Sequence, residues 1–330
     1  MDRKDFLKQM AGLTSGIVLT GSRLMEHQEP RKDRWGTLLP TRKLGSTGEE
    51  VTMLGVGGYH IGGAMSEKEA QKTIETAIAG GIRFFDTAES YQNGGSEKRY
   101  GKYLVPKYRD DIFLMSKTYS RDAETTRKHL EGTLRRLNTD HLDLWQVHSL
   151  QSREDVDNRI ENGVLDVVRH AKETGKARHI GFTGHASPYA HMRMLEKTRF
   201  FETCQMPVNV LDPSYHSFIH NVMPILTDRN MGILAMKTLA DGRFFSSKKR
   251  VGWSTDEPVV PDRISIREAL YFAWSLPISV LITGADDSDM LQEKIDLAKN
   301  FKAFDEQKRQ QLIEKVADLS DGSVEYFKNV

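Results

Sequence analysis

Four polar residues stand at the ends of short apolar runs, where a polar side chain needs a reason. Asp86 directly follows Phe84-Phe85, and Tyr91 lies in the loop beyond it. Lys117 follows Phe113-Leu114-Met115-Ser116, and His148 follows Leu144-Trp145-Gln146-Val147. Singly, each has an ordinary explanation. A strand-end Asp caps a helix or anchors a loop, a strand-end His is a satisfied rim residue, and a loop Tyr packs. Lys117 is harder to dismiss, because burying an ammonium is costly unless a counter-charge accompanies it. Asp86 is the available partner.

Together the four make a proton donor. A phenol with a pKa of about 10 is a poor acid or base at neutral pH. A cation at hydrogen-bond range stabilises the phenolate and is expected to lower that value. Lys117 can supply the cation, with Asp86 keeping it charged and in place. His148 can bond a substrate oxygen and share in proton transfer. A carbonyl oxygen gains negative charge as hydride reaches its carbon, and Tyr91, Lys117 and His148 could meet that charge. A metal site would want several His or carboxylates converging, so a Lys and a Tyr in the set argue for no metal. A hydrolytic barrel would need paired carboxylates, whereas Asp86 pairs with Lys117.

Only regular elements can aim these side chains together. From about residue 41, short β-branched or apolar runs alternate with segments of helical period. The pattern predicts strands at 53–56, 84–86, 112–116, 142–147, 179–181, 203–206, 232–235 and 280–283. Ser66 opens a helix to Ala79, with Glu69 completing a capping box. Asp122 or Thr125 opens the helix to Leu137. Further helices are expected at 161–173, at 188–197, and from Ser288 or Asp289 to Asn300. Eight such units predict an α/β fold, a (β/α)8 TIM barrel, whose chemistry gathers at the C-terminal ends of its strands. An open doubly wound sheet would carry Gly-x-Gly-x-x-Gly after its first strand, and Gly55-Val56-Gly57-Gly58 lacks that spacing. The segments 41–44 and 50–52 flank Gly45-Ser46-Thr47-Gly48 and predict a β-hairpin suited to plug the barrel bottom. A long excursion is expected at 236–265, after the seventh strand.

The composition, 38% hydrophobic and 28% charged over 330 residues, suits one soluble barrel of this size. A net charge of +1 with no basic stripe speaks against a nucleic-acid partner. The run Lys248-Lys249-Arg250 reads as a solvated loop. Cys204, the single cysteine, excludes intramolecular disulfides and Cys-based metal clusters, and reads as a small core residue. Redox chemistry must then come from a bound cofactor.

Residues 1–25 have a basic start at Arg3, Lys4 and Lys8, then a mildly apolar stretch. That is too short and polar for a stable membrane span and has the architecture of an export segment. Arg3-Lys4-Asp5-Phe6-Leu7-Lys8 resembles a twin-arginine signal, with Lys4 where a second Arg is expected and no clear Ala-x-Ala site beyond. A periplasmic, exported protein engaging export machinery is the expectation; a cytoplasmic protein with an amphipathic arm is the alternative. Residues 26–40 read as a linker, leaving 41–330 for the barrel.

The site residues carry a resemblance. Thr41-Arg42-Lys43-Leu44-Gly45-Ser46-Thr47-Gly48 with Leu54-Gly55-Val56-Gly57-Gly58, then Phe85-Asp86-Thr87-Ala88-Glu89-Ser90-Tyr91, Ser116-Lys117 and Val147-His148, resemble the aldo-keto reductases. The resemblance spans roughly residues 40–320. It implies an oxidoreductase interconverting carbonyl and alcohol, with NADPH or NADH lying across the mouth and Tyr91 as general acid. It implies cofactor contacts at Gly57 and Gly58, which would let the first loop approach closely. It implies Thr183 and Gly184 where the family usually has Ser-Asn gripping the nicotinamide amide. Gln205 is retained, Met236 replaces a stacking aromatic, and Lys237 is placed to reach the pyrophosphate. Gly284, Asp286 and Asp287 resemble the loop around the adenosine. Users of NADPH place Lys and Arg where Gly284 and Met290 stand, and Asp286, Asp287 and Asp289 are acidic, so NADH is expected to bind at least as well. Lys294 or Lys299 could still fold back as a cation. Potassium-channel β-subunits share the resemblance, so a cofactor-binding redox sensor or partner-binding subunit is the alternative function.

The N-terminal reading has its own test. Replacing Arg3 and Lys4 together should trap the protein in the cytoplasm on cell fractionation. Unchanged fractionation would favour the amphipathic arm.

Overall fold

The computed structural model describes residues 31–245 and 263–328. The export-like segment 1–25, the Lys248–Arg250 run and most of the excursion after the seventh strand lie outside the described residues. Eight parallel strands close into a barrel. They are β1 (Leu54–Gly57), β2 (Phe84–Asp86), β3 (Phe113–Thr118), β4 (Leu142–Val147), β5 (Ala177–Thr183), β6 (Thr203–Pro207), β7 (Gly232–Met236) and β8 (Val280–Thr283). Closure is made by β8 against β1, with Leu281 opposite Leu54 and Thr283 opposite Val56.

All eight strands lie where the apolar runs placed them, with shifted ends. Two shifts matter. The third strand runs on through Lys117 to Thr118, and the fifth runs on to Thr183, so both residues are strand residues rather than loop residues. The period-two alternation of a strand then decides which way they point. Phe84, Phe113, Met115, Leu144, Leu234, Val280 and Ile282 form one interior cluster. Phe84 and Phe113 stack there with centroids 5.1 Å apart. Two residues above each of these layers, the same parity carries Asp86, Lys117 and Gln146 into the upper barrel.

The helices include α1 (Glu67–Ala79), α2 (Gly95–Tyr103), α3 (Ala123–Leu137), α4 (Arg153–Glu161), α5 (Val164–Glu173), α6 (Pro188–Lys197), α7 (Ile266–Trp274), α8 (Ser288–Lys299) and α9 (Glu306–Val316). The expected helix 161–173 begins only at Val164, because its cap Gly163 takes φ 75° and Glu161 ends the preceding helix α4. Helices α2, α4, α7 and α9 lie outside the expected set, although Ser265 and Glu268 form a complete capping box at α7. The capping box at α1 forms only in half. Ser66 caps Glu69, but the Glu69 carboxylate accepts from the Ser288 N–H at 2.8 Å instead of returning to its own cap. It ties the first helix to the eighth, which a local motif could not foretell.

The predicted hairpin is present, pairing Thr41–Lys43 with Glu50–Thr52. Leu44 and Val51 join the interior cluster, so the hairpin closes the lower end of the barrel. A further hairpin, Lys32–Asp33 with Gly36–Thr37, lies in the stretch expected to be linker. Asp33 takes Arg83 Nε and Nη2 at 2.6 and 2.9 Å, and Trp35 sets its ring edge-on to Tyr108. Among the described residues no helix is long and apolar enough to cross a membrane.

Candidate active site

Asp86, Tyr91 and Lys117 meet around one ammonium. Lys117 Nζ donates to Asp86 Oδ1, to the Thr87 carbonyl at 2.8 Å and to the Tyr91 hydroxyl at 3.0 Å. Three acceptors satisfy its three N–H groups. Lys117 and Asp86 are only 1% and 2% exposed, so this pair is held in a low-dielectric interior. His148 packs edge-on to Tyr91, ring centroids 5.8 Å apart, and its Nδ1 is buried without a hydrogen-bond partner.

Each member is held from behind. The Tyr91 loop folds back through Gln92, Asn93 and Gly94, all in the left-handed region, and leads into α2. Thr87 N bonds the Met115 carbonyl at 3.0 Å, and Thr87 Oγ1 bonds Ser96 at 2.7 Å. On the outer face of β3, Ser116 donates to Glu97, which also takes Arg136 Nε at 2.6 Å. The loop beyond β3 is fixed by Glu89, which accepts from Tyr119 N at 2.7 Å.

The electrostatics correct one expectation. Burial pushes the Tyr91 phenol above its usual value; Lys117 opposes this but does not overcome it. Tyr91 is therefore a firmly protonated donor at neutral pH, not a phenol lowered by Lys117. Burial also disfavours the Lys117 ammonium, but Asp86 and Tyr91 outweigh burial and raise its pKa. Burial, with the charges of Lys117, His185 and Arg159, takes His148 well below its ordinary 6.5, so its imidazole is neutral. This arrangement can hold a proton on Tyr91 and release it to an oxygen that becomes negative.

The residues expected at the cofactor are placed less uniformly. Thr183 and Gln205 face each other across β5 and β6, and buried Gln205 Oε1 has no hydrogen-bond partner. A buried acceptor of that kind suits an amide N–H of a ligand. Met236 ends β7, half-buried, followed by Lys237. The glycines also have a packing reason beside the one expected. A Cβ on Gly58 would lie 2.5 Å from the Asp86 carbonyl, and one on Gly57 would press Thr283 O at 3.2 Å. The Asp86 carbonyl demands that Gly58 be bare, whereas β8 only crowds Gly57. At Gly184 a Cβ would meet Leu150 O at 2.7 Å and His191 Cε1 at 2.8 Å, so buried His191 fills the space of the missing side chain.

At the β8 loop, the place of a Gly284 side chain is taken by the His60 ring, 2.6 Å from the ideal Cβ. Asp286 pairs with His60 at 3.7 Å. Asp287 is the cap of α8, accepting from Met290 N at 2.8 Å, so the helix starts at Ser288, the earlier of the two expected positions. Lys294 does fold back: it is buried and donates to the Gly284 carbonyl at 2.6 Å. Burial brings its ammonium down to about 8. Lys299 instead faces Asp296 at 3.7 Å. Cys204 is fully buried and its thiol is pushed well up, as suits a core residue. Sequence reasoning missed Tyr59, whose ring meets Tyr91 at 5.6 Å, and Tyr119, which meets His148 at 6.1 Å. Tyr59 directly follows the glycines of the first loop, and that neighbourhood was the available clue.

The aldo/keto reductase family model matches residues 53–315. The chain belongs to this family. An uncharacterized oxidoreductase of Bacillus subtilis is 29% identical over 60% of this chain and 66% of its own length. L-galactose dehydrogenase of Arabidopsis thaliana is 30% identical over 62% of this chain and 67% of its own. The matches thus span about two thirds of these relatives. The holo form of an aldo-keto reductase from Bacillus halodurans has the same fold, with TM-score 0.69, 19% identity, and coverage of 84% of this chain and 96% of that one. The protein is an NAD(P)-dependent oxidoreductase on a (β/α)8 barrel.

Lys117→Met should strand Asp86 as a buried charge and cost about 3–5 kcal/mol of stability by urea denaturation. Asp86→Asn with Lys117→Met should recover most of it. A single variant within about 1 kcal/mol of wild type would mean the pair is not dry.

Proposed function

We propose that this oxidoreductase reduces a small aldehyde, ketone or keto-sugar to an alcohol, or runs the reverse, with Tyr91 as general acid and base. The observation that carries the reading is Lys117 Nζ bonded at once to Asp86, Thr87 O and the Tyr91 hydroxyl. A nicotinamide supplies the hydride when bound. Tyr91 would give its proton to the carbonyl oxygen as that oxygen becomes negative. Lys117, kept charged by Asp86, would stabilise the phenolate left behind. Neutral His148 would orient the oxygen through its imidazole without competing for the proton. Thr183 and Gln205 would hold the carboxamide, Met236 the ring and Lys237 the phosphates. One relative is named L-galactose dehydrogenase, so sugars and polyols belong in the substrate panel with simple carbonyls.

The raised phenol gives the pH dependence a sign. Protonated Tyr91 is present throughout the neutral range, so reduction should be flat there. Oxidation needs the proton gone, so its rate should climb as pH rises towards the phenol pKa. Tyr91→Phe should keep cofactor binding and lose at least ~100-fold in carbonyl reduction. Near wild-type turnover in that variant would refute the assignment. Cofactor binding without steady-state turnover on any substrate would instead support a sensor or partner-binding subunit.

The β8 loop supports NADH binding at least as well as NADPH. Position 284 has no side chain, Met290 brings no charge, and Lys294 is engaged by the Gly284 carbonyl. A 2′-phosphate would face Asp286 and the exposed Asp287 and Asp289, whereas a carboxylate can accept from a free ribose hydroxyl. Fluorescence titration of both cofactors at one salt concentration decides this. A tenfold preference for NADPH, about 1.4 kcal/mol, would mean that a cation such as Lys294 turns to the phosphate.

A further inference from the structure

The loop after β7 is held in an unusual shape. Lys237, Ala240 and Asp241 all take positive φ, at 56°, 48° and 60°. Such backbone persists only where surrounding contacts over-determine it. Here many of those contacts come from the far end of the chain. Tyr326 donates its hydroxyl to Asp241 Oδ2 at 2.5 Å, and Asp241 Oδ1 stands 3.4 Å from Lys237 Nζ. The Arg243 guanidinium lies over the Tyr326 ring at 4.4 Å and reaches Ser323 O at 3.3 Å. Lys237 Nζ also sits 5.6 Å from the Phe327 ring centroid.

The same segment is anchored by buried charge. Lys328 Nζ donates to Asp212 at 2.6 Å, to the Tyr215 carbonyl at 2.8 Å and to Glu325 at 3.0 Å. Lys328 and Asp212 side chains are fully buried. Asp212 is itself fixed by Ser217 Oγ and by the Phe218 and Ile219 N–H groups. Asn209 links the two halves, donating to Glu325 at 2.7 Å and lying 3.5 Å from the Lys237 carbonyl. A surface tail would need none of this burial.

We propose that residues 323–328 form a clamp that positions Lys237 for the cofactor phosphates. Tyr326 orients Asp241, Asp241 orients Lys237, and Lys328 pins the segment against the loop after β6. Tyr326 is thus a positioning residue, acting on cofactor affinity through two other side chains. The inference rests on the reading of Lys237 as the residue that meets the pyrophosphate.

The test is a double-mutant cycle on the full chain, with NADH binding and stopped-flow dissociation read by fluorescence. Lys237→Met should weaken NADH by about 10–100-fold, the scale of a lost charged hydrogen bond. Tyr326→Phe keeps the ring over Arg243 and should weaken NADH by about 2–10-fold, through faster dissociation. With Lys237 already gone, Tyr326→Phe should add nothing, because its effect runs through that lysine. The Tyr326→Phe loss should appear in the cofactor KM rather than kcat, with thermal stability recorded alongside. Wild-type affinity in Tyr326→Phe, or effects that multiply in the double variant, would overturn the clamp while leaving the cofactor reading intact. Unchanged affinity in Lys237→Met would overturn the phosphate assignment and the clamp with it. Failure of the wild-type chain to bind NADH or NADPH would overturn both readings.

Discussion

A single ammonium, Lys117 Nζ, is the constraint around which the barrel mouth is built. Taking an ammonium and a carboxylate out of water is expensive, and only good geometry with every donor satisfied makes it tolerable. Lys117 meets that condition by giving its three N–H groups to Asp86, Thr87 and Tyr91. Removing any one acceptor leaves a buried donor exposed to the full desolvation cost. The Tyr91 loop must therefore sit where it does. Its three left-handed residues and the bond from Thr87 to Ser96 answer to that demand.

The lower barrel makes this placement rigid. Phe84 and Phe113 stack directly beneath Asp86 and the Lys117 strand, and the hairpin residues Leu44 and Val51 seal the layer below. Behind β3, Glu97 joins Ser116 to Arg136 and locks α2 and α3 to the strand. A strand that cannot slide holds the parity that points Lys117 inward. A slip of one residue would turn it out towards the helices. The same dry surroundings keep the Tyr91 proton on and the His148 proton off, giving neighbouring rings opposite tendencies.

On the cofactor side the structure depends on contacts between distant segments. His60, from the loop after β1, occupies the space beside Gly284 after β8. His191 does the same beside Gly184. In both places an absent side chain reflects a neighbour that fills its volume. Lys294, which a linear reading leaves free to serve a phosphate, is turned inward to a carbonyl. The C-terminal residues close over the loops after β6 and β7 and bring Tyr326 and Lys328 to the edge of the mouth.

By itself the sequence determined the barrel and the four residues at its mouth. Strand alternation is local, so Phe84-Phe85-Asp86 and Leu114-Met115-Ser116-Lys117 already declare which residues share a face. The placement of Asp, Lys and His on consecutive strands does the rest. Helices α2 and α4 carry no clear signature in the sequence, because charged residues are dense in both and α2 also starts on glycine. The sign of the Tyr91 shift was decided only by tertiary structure, since it weighs burial by many residues against one nearby cation. So were the reasons for Gly58 and Gly184, the half-formed cap at Ser66 and the return of the C-terminal segment. Each depends on a contact between residues far apart in the chain, and no local pattern of spacing encodes such a contact.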